Sequence, residues 1–298
     1  MPPRTPPYFQ TAMPAVSLPS DRPSPTTPTT TNNNNNTQDD EEATTTTLPI
    51  RKHKFPTPKL RLQFEDLKHP GTSVFLRAVH STTDIEQQIQ NVLNLLYHHP
   101  SAPRPPTRSI TFVLEDMPGV AYTTGTALDD DHKEIHFSLS YIALPRHAGD
   151  LARAELLGVI CHELVHCFQY NAEGTAPGGL IEGIADWVRL NAGLAARHWR
   201  REAEGAWDRG YQHTGYFLQW LEEKFGEGTV RTVNGLLREG EWDAERVFKA
   251  ACAGREVEGL WEEYAREVKG GEGATGTAEG ETIPSDTPPR VEGAKGGV

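Results

Sequence analysis

An α+β domain spanning residues 55–269 is the fold class that the sequence predicts. Up to residue 141, short segments of alternating apolar and polar residues indicate a small mixed sheet with an exposed edge strand. After Asp150 the longer segments have helical periodicity, and strands followed by helices are typical of α+β domains. Both ends of the chain lack the apolar residues that a core needs, so we expect disordered tails at residues 1–54 and 270–298.

The tails differ from the domain in composition. Residues 1–54 are dominated by Pro, Thr, Ser and Asn, and residues 270–298 by Gly, Glu, Thr and Pro. Segments with so little apolar surface cannot offset the entropy that a chain loses when it becomes ordered. The residues between the tails are numerous enough for one domain with its own core.

Charge and hydropathy argue against two classes of partner. The net charge is −12, from 29 basic and 41 acidic residues, and there is no basic stripe, so no nucleic-acid partner is expected. No apolar stretch approaches the ~20 residues that cross a bilayer, and the first 30 residues lack the ~7–15 consecutive apolar residues of a signal peptide. Composition leaves the localisation and the oligomeric state unassigned.

The secondary structure follows from periodicity. The predicted strands are residues 60–64, 109–114, 120–124 and 133–141, and the predicted helices after Asp150 are about 151–171, 179–195, 208–225, 228–239, 242–251 and 256–269. A further helix is expected to begin at Asp84 as its N-cap. Residues 133–141 alternate cleanly, which indicates a strand with one covered and one open face. The run Asp129–Asp131 before this strand is interpreted as a solvated turn in preference to a cation site.

His162-Glu163-Leu164-Val165-His166 is an HExxH motif on a predicted helix. Residues four apart lie on one helix face, so both imidazoles can bind one ion, with Zn–N bonds of ~2.0–2.1 Å. Glu163 lies beside the first ligand, where a carboxylate can take the proton of a water molecule. Cys161 and Cys167 flank the motif but point in different directions, and we interpret them as buried thiols.

The next predicted helix carries Glu182 and Asp186, which are also four residues apart. Because Pro177-Gly178-Gly179 interrupts the chain, this helix can fold back antiparallel to the first. Glu182 then completes a His2Glu zinc site with one position open for water. Asp186 can accept a hydrogen bond from the far nitrogen of a zinc-bound imidazole. A solvated helix face is the alternative for both carboxylates, but their apolar neighbours indicate a buried helix, where carboxylates need partners.

Several segments in the same order resemble one known family. They are residues 119–125, 133–136, 158–169, 176–186 and 188–190, followed by shorter matches such as Trp207-Asp208, Gly210-Tyr211 and Leu260-Trp261. Residues 109–265 thereby resemble the plant basic secretory protein family, also described as peptidases of plants and bacteria. Members of the family are regarded as zincin-like, and the Glu182–Asp186 spacing is similar to that of the thermolysin-type gluzincins. The chain departs from the family name in being acidic and in lacking a recognisable signal peptide, and its long tails lie outside the resemblance.

The resemblance implies a zinc metallopeptidase that acts on peptides or proteins. Zinc would lower the pKa of a water molecule and polarise the peptide carbonyl, with Glu163 as the general base. Tyr211 matches the family and is the candidate donor to the tetrahedral oxyanion, although a structural aromatic is the alternative. His213 has suitable acid chemistry but does not match the family, and Arg189 is interpreted as a helix-surface or ion-pair residue. By resemblance, the strand at residues 133–141 is expected to pair with an extended substrate.

Two other functions remain open from the sequence. The motif specifies an activated water but no substrate, so the first is hydrolysis of a non-peptide amide. The second is a defence-related binding protein with a vestigial zinc site, which the presence of Glu163 disfavours because a structural zinc needs no base.

Overall fold

The computed structural model describes residues 53–145, 147 and 150–272. Within these residues the chain forms four strands and nine helices, and the predicted α+β class is confirmed. The predicted tails lie outside the described residues, except for residues 53–54 and 270–272. No described helix combines the length and the apolar character that a membrane span requires.

The sheet consists of β1 (Lys59–Phe64), β2 (Ser109–Glu115), β3 (Ala121–Thr126) and β4 (Asp129–Ser138). The strand order is β1-β2-β4-β3. β1, β2 and β4 are parallel, and β3 pairs antiparallel with β4, so the sheet is mixed as predicted.

The helices are α1 (Pro70–Ala78), α2 (Ser81–Leu96), α3 (Leu139–Ile142), α4 (Asp150–His166), α5 (Gly178–Asn191), α6 (Tyr211–Phe225), α7 (Thr229–Leu236), α8 (Ala244–Ala251) and α9 (Val257–Glu272). The last six correspond to the predicted helices, whereas α1 and α3 were not predicted. The expected N-cap at Asp84 is wrong, because α2 begins at Ser81. Asp84 acts from inside the helix instead: its carboxylate accepts a 2.7 Å hydrogen bond from the backbone N–H of His80 and pairs with Arg153 at 2.6 Å.

β4 is an interior strand, which corrects the expectation that it supplies the exposed edge. It pairs with β2 on one side and with β3 on the other, so β3 forms the edge of the sheet next to β4, and β1 forms the opposite edge. The interpretation of Asp129–Asp131 as a solvated turn is wrong, because these residues begin β4, where Asp129 pairs with Thr126 of β3. β4 ends at Ser138, whose hydroxyl accepts a 3.2 Å hydrogen bond from the backbone N–H of Tyr141 and caps α3. The alternating pattern continues past Ser138, and only this cap shows where the strand stops.

One face of the sheet is buried against helices. The side chains that cover this face in β2 and β4 are Ile110, Phe112, Leu114, Ile135 and Phe137, and all are buried. They share a core with the apolar residues of α2 and α4. Glu134 and His136 lie on the opposite, half-buried face, as the alternation predicted. α4 lies against the edge strand β3, which places the HExxH motif beside the free edge of the sheet.

An extended segment before β1 is bound to α2 through side-chain amides. Asn94 Oδ1 accepts from His53 N at 2.7 Å, and Asn94 Nδ2 donates to His53 O at 2.9 Å. Gln90 makes the same pair of hydrogen bonds with the backbone of Phe55, both at 2.9 Å. Phe55 is buried. Among the described residues, the contacts with α2 include both ends of the segment from His53 to Phe55.

Candidate metal centre and active site

α4 is the central helix of the site. Residues 156–165 are all buried, so the polar side chains within this stretch need partners. His162 and Glu163 are 1 % and 2 % exposed, and His166, one turn later, is half-buried. The two histidines therefore lie on one face of a helix that is buried from Leu156 to Val165.

α5 runs antiparallel to α4, as expected from the break at Pro177–Gly179. The contacts show the direction, because His162 meets Asp186 and His166 meets Glu182. Every residue from Leu180 to Asn191 is buried. The two carboxylates are therefore not part of a solvated helix face.

Three potential ligand atoms converge between α4 and α5. His162 Nε2 lies 3.1 Å from His166 Nε2 and 3.0 Å from Glu182 Oε2, and His166 Nε2 lies 3.8 Å from Glu182 Oε1. Two nitrogens bound to one tetrahedral zinc at ~2.0–2.1 Å are about 3.3 Å apart, so these spacings fit a shared ion. Among the described residues, this is the only group of three or more His, Cys, Asp or Glu that is close enough to hold a metal. The structure thus brings the three predicted ligands together.

Asp186 orients the first histidine. Its Oδ1 lies 2.7 Å from His162 Nδ1, so an Nδ1–H donor leaves Nε2 facing Glu182 and His166. Burial alone lowers the pKa of His162, but the charges and hydrogen bonds of Asp186 and Glu182 outweigh it and raise the pKa to about 10. Burial dominates at His166 and lowers its pKa to about 4. The carboxylates of Asp186 and Glu182 therefore favour positive charge at His162.

Glu163 contacts the sheet and not α5. Its Oε2 accepts a 2.7 Å hydrogen bond from Thr123 Oγ1 on β3, and the same hydroxyl lies 3.0 Å from the backbone oxygen of Glu163. Burial raises the pKa of Glu163 to about 7, although His162 and the Thr123 hydrogen bond act in the opposite direction. A carboxyl group with a pKa near neutrality can accept and release a proton at neutral pH. We assigned no role to Thr123 from the sequence, because only the packing of β3 on α4 brings it to Glu163.

Tyr211 lies over the first histidine. Its ring is stacked on that of His162, with a centroid distance of 6.2 Å and an interplanar angle of 17°. Tyr211 is the first residue of α6 and has a left-handed backbone, with φ of +48°, after Gly210 at +92°. A non-glycine residue in this conformation costs ~1–3 kcal/mol, and such strain concentrates at functional sites. Burial and the neighbouring carboxylates hold the pKa of Tyr211 above its usual range, so the phenol stays protonated and can donate.

Two glycines of α5 allow α6 to approach closely enough to position Tyr211. A Cβ atom at Gly179 would lie 1.6 Å from the backbone oxygen of Asp208, and one at Gly183 would lie 2.3 Å from Thr214 Cγ2. Thr214 Oγ1 in turn accepts a 2.9 Å hydrogen bond from Gly210 N. The small residues of α5 therefore determine where α6 begins.

Other candidate residues lie outside the metal group. His213 donates from Nε2 to the backbone oxygen of Ala206 at 3.1 Å and packs against Trp261 at a centroid distance of 5.1 Å. Cys161 and Cys167 are buried thiols as expected, and burial raises the pKa of Cys161 to about 12. Arg189 is buried, so its interpretation as a helix-surface residue is wrong. The alternative interpretation is confirmed, because Arg189 forms an ion pair with Glu155 at 3.1 Å.

A cavity of about 670 Å³ adjoins the candidate site. Asp186 and Tyr211 form part of its wall, and Val120 contributes to it immediately before β3. Arg189 and Trp199 line it on the side of the loop that follows α5.

Comparison with known proteins gives one match. A profile of the BSP family, described as "Peptidase of plants and bacteria", matches residues 57–264. The matched segment contains the three metal-ligand candidates, Asp186, Glu163, Thr123 and Tyr211. No curated protein and no solved structure shows a significant match to the chain.

Proposed function

The chain belongs to the family of peptidases of plants and bacteria, and from this premise we propose that it is a zinc-dependent metallopeptidase. In this proposal His162, His166 and Glu182 hold one zinc ion and Glu163 is the general base. The observation that supports it best is the convergence of the three ligand atoms, all within 4.8 Å of one another, next to a buried glutamate that faces the edge strand.

The donor set favours zinc over magnesium or calcium. Two imidazoles and one carboxylate are typical ligands of catalytic zinc, whereas magnesium and calcium prefer oxygen donors. Three protein ligands leave a fourth position open, as in catalytic and not structural sites. When bound, zinc lowers the pKa of a water molecule to about 7 and polarises the substrate carbonyl.

The remaining chemistry belongs to residues of the chain. Glu163 accepts the proton of the attacking water and delivers it to the leaving amine, as its pKa of about 7 permits. Thr123 holds the carboxylate of Glu163 by its 2.7 Å hydrogen bond. Tyr211 donates a hydrogen bond from its phenolic O–H to the oxyanion of the tetrahedral intermediate. This requires a protonated phenol, which the raised pKa of Tyr211 maintains.

The substrate binds along β3 in this mechanism, and not along β4. Of the two edge strands, β1 and β3, only β3 contacts Glu163, and its outer side has no strand partner among the described residues. An extended peptide can add to such an edge through backbone hydrogen bonds. Because Thr123 of β3 contacts Glu163, a peptide bound there passes the general base.

Metal analysis combined with a protease assay tests the proposal. Purified protein should contain one zinc per chain and hydrolyse a general protein substrate, and a chelator should abolish the activity until zinc is restored. Glu182→Ala should lose the zinc. Activity that is indifferent to chelator would contradict the zinc mechanism. Hydrolysis of small amides without peptides would favour the non-peptide alternative, and a zinc-loaded protein without hydrolytic activity would favour the binding protein.

A further inference from the structure

We propose that the cavity beside the candidate site is a specificity pocket in which Arg189 binds an acidic side chain of the substrate. This inference rests on the proposed peptidase function and names its preferred substrate class. Its central residues are Arg189 on α5 and Glu155 on α4, which the catalytic proposal does not use.

The position of the cavity relates it to the substrate. Its wall includes Asp186 and Tyr211 from the candidate active site and Val120, which precedes the edge strand. A peptide bound along β3 with its scissile bond near Glu163 therefore has the cavity beside it. A volume of about 670 Å³ lies within the ~300–1,000 Å³ of ligand pockets and can accept a long side chain.

Arg189 is held rigidly in the wall of this cavity. It is 2 % exposed, and its Nε donates to the backbone oxygen of Leu194 at 2.9 Å. Its guanidinium carbon lies 4.9 Å from the centroid of the Trp199 ring. The guanidinium also lies directly on α4, where a Cβ atom at Gly158 would be 2.5 Å from Nε. A cation fixed in this way loses little further freedom when it binds a ligand.

Part of the hydrogen-bonding capacity of Arg189 remains available. A guanidinium has five N–H donors, and the protein uses one at Nε for Leu194 and one at Nη2 for Glu155, at 3.1 Å. In the part of the chain that the structure describes, Nη1 has no hydrogen-bond acceptor. Carboxylates are the ligands that match a guanidinium best, because they can accept two parallel N–H bonds.

The charged residues of the described wall are balanced in number. They are three arginines and three carboxylates: Arg189, Arg197, Arg209, Asp186, Glu155 and Glu202. Asp186 Oδ1 is held 2.7 Å from His162 Nδ1, so Glu155 and Glu202 are the carboxylates that face the three arginines. Glu155 competes with a substrate carboxylate for Arg189. Its carboxylate also accepts a 2.9 Å hydrogen bond from Tyr141, so its charge is shared between two donors.

Matched peptides test the assignment. All peptides share one cleavable bond. Either the residue before this bond or the residue after it is varied, and the varied residue is Glu, Gln, Leu or Lys. We expect Glu at one of the two positions to be preferred over Gln about tenfold or more in kcat/KM with the zinc-loaded protein, as for a hydrogen bond to a charged group. Calorimetry on Glu163→Gln, which should leave the peptides intact, should show the same order in Kd. Equal kcat/KM for the Glu and Gln peptides at both positions, or a higher kcat/KM for Lys, would overturn the pocket assignment.

Two substitutions test whether Arg189 causes the preference for Glu over Gln. Arg189→Gln should abolish the preference for Glu over Gln while the Leu peptide is still hydrolysed. Because Arg189 is buried and its loss can destabilise the fold, Glu155→Gln is the second variant: it keeps the side-chain shape and removes the competing carboxylate, so the ratio of Glu to Gln should rise. The control is Glu223→Gln, which breaks the exposed ion pair with Arg201 at 3.1 Å outside the cavity and should leave the ratio unchanged.

The outcomes separate the two proposals. If the zinc-loaded protein hydrolyses the peptides without preference, or if Glu155→Gln leaves the ratio of Glu to Gln unchanged, only the pocket assignment fails. If the zinc-loaded protein hydrolyses none of the peptides, the peptidase proposal fails and the pocket assignment fails with it.

Discussion

Neighbouring residues of the HExxH motif face different parts of the molecule. Successive residues on a helix are rotated by about 100°, so the histidines at positions 162 and 166 share one direction and Glu163 has another. The histidines meet Glu182 and Asp186 on α5, whereas Glu163 meets Thr123 on β3. The metal-binding and proton-transfer roles that we propose are thereby assigned to different contacts of one helix, and they can be tested separately.

Glu163→Gln should lower kcat at least about a hundredfold, the usual contribution of a general base, while the zinc content and the thermal midpoint stay nearly unchanged. The amide has the shape of the carboxylate but cannot accept the proton. Initial rates and metal analysis check both parts. Glu223→Gln, at an exposed ion pair, is the control that should retain full activity. Wild-type turnover in Glu163→Gln would remove this residue from the mechanism.

Asp186→Asn should weaken zinc binding about 10–100-fold, as expected when the partner of a metal-bound histidine is lost. The carboxylate lies 2.7 Å from His162 Nδ1 and favours the tautomer whose Nε2 faces the metal. Competition with a chelator of known affinity measures the change, and Asp116→Asn at an exposed position is the control. A zinc-bound structure with Asp186 bonded to the metal would contradict this role and would leave no open position for water.

Thr123→Val should shift the acidic limb of the kcat/KM profile to higher pH. The hydrogen bond from Thr123 lowers the pKa of Glu163, so its removal raises that pKa. A general base acts in its deprotonated form, and activity is lost as the pH falls through its pKa. The loss should therefore begin at a higher pH in the variant. Thr123→Ser keeps the hydroxyl and should retain the wild-type profile. An unchanged limb in Thr123→Val would show that this hydrogen bond does not act on the base.

At the scale of elements, the site depends on the close packing of α6 on α5. Gly183 faces Thr214, and Gly179 faces the turn that precedes Tyr211. In a helix, glycine is less favourable than alanine by about 0.8–1.0 kcal/mol. These two glycines therefore lower the helix stability of α5, but they allow α6 to pack closely on it. Tyr211 could not lie over His162 if α6 were displaced outward by a methyl group.

Gly183→Ala should lower the free energy of unfolding despite the better helix propensity of alanine. Its Cβ would meet Thr214 Cγ2 at 2.3 Å, and overpacking of this kind costs about 1–3 kcal/mol. It should also reduce kcat by displacing Tyr211. Gly235→Ala on α7 is the matched control, because no atom lies within 4 Å of its added Cβ and it should stabilise the protein slightly. Equal stability of the two variants in denaturant unfolding would contradict the packing argument.

At the scale of the whole molecule, a few contacts hold the first described residues on the domain. Asn94 and Gln90 bind the backbone of His53 and Phe55, and Phe55 is buried. The low apolar content of the preceding sequence predicts that residues 1–50 add little to this core.

Deleting residues 1–50 should leave the thermal midpoint and the activity almost unchanged, because the contacts of His53 and Phe55 remain. Deleting residues 1–56 removes these contacts and a buried phenylalanine, worth about 1.5–3 kcal/mol, and should lower the midpoint by about 5 °C or more. Calorimetry of both truncations makes the comparison. A loss of several degrees in the shorter deletion would show that the predicted tail packs on the domain.

The sequence by itself determined the helical half of the fold and which residues form the candidate metal group. Both depend on local geometry, because the spacing of side chains along a helix is the same in any helix. Two pairs with i,i+4 spacing, separated by a chain reversal at Pro177–Gly179, were enough to predict that His162, His166, Glu182 and Asp186 meet. The short helices α1 and α3 were missed, since such helices depend on tertiary contacts more than on their own periodicity.

Only the tertiary structure decided which strand forms the edge, which residue holds Glu163, and what lines the cavity. An interior strand and an edge strand have the same period of two, so alternation in β4 could not show that β3 lies outside it. Thr123 and Arg189 are distant in sequence from Glu163 and from Glu155, and no spacing rule relates residues on different elements. The contacts of Thr123 with Glu163 and of Arg189 with Glu155 form because β3 and α5 both pack closely on α4.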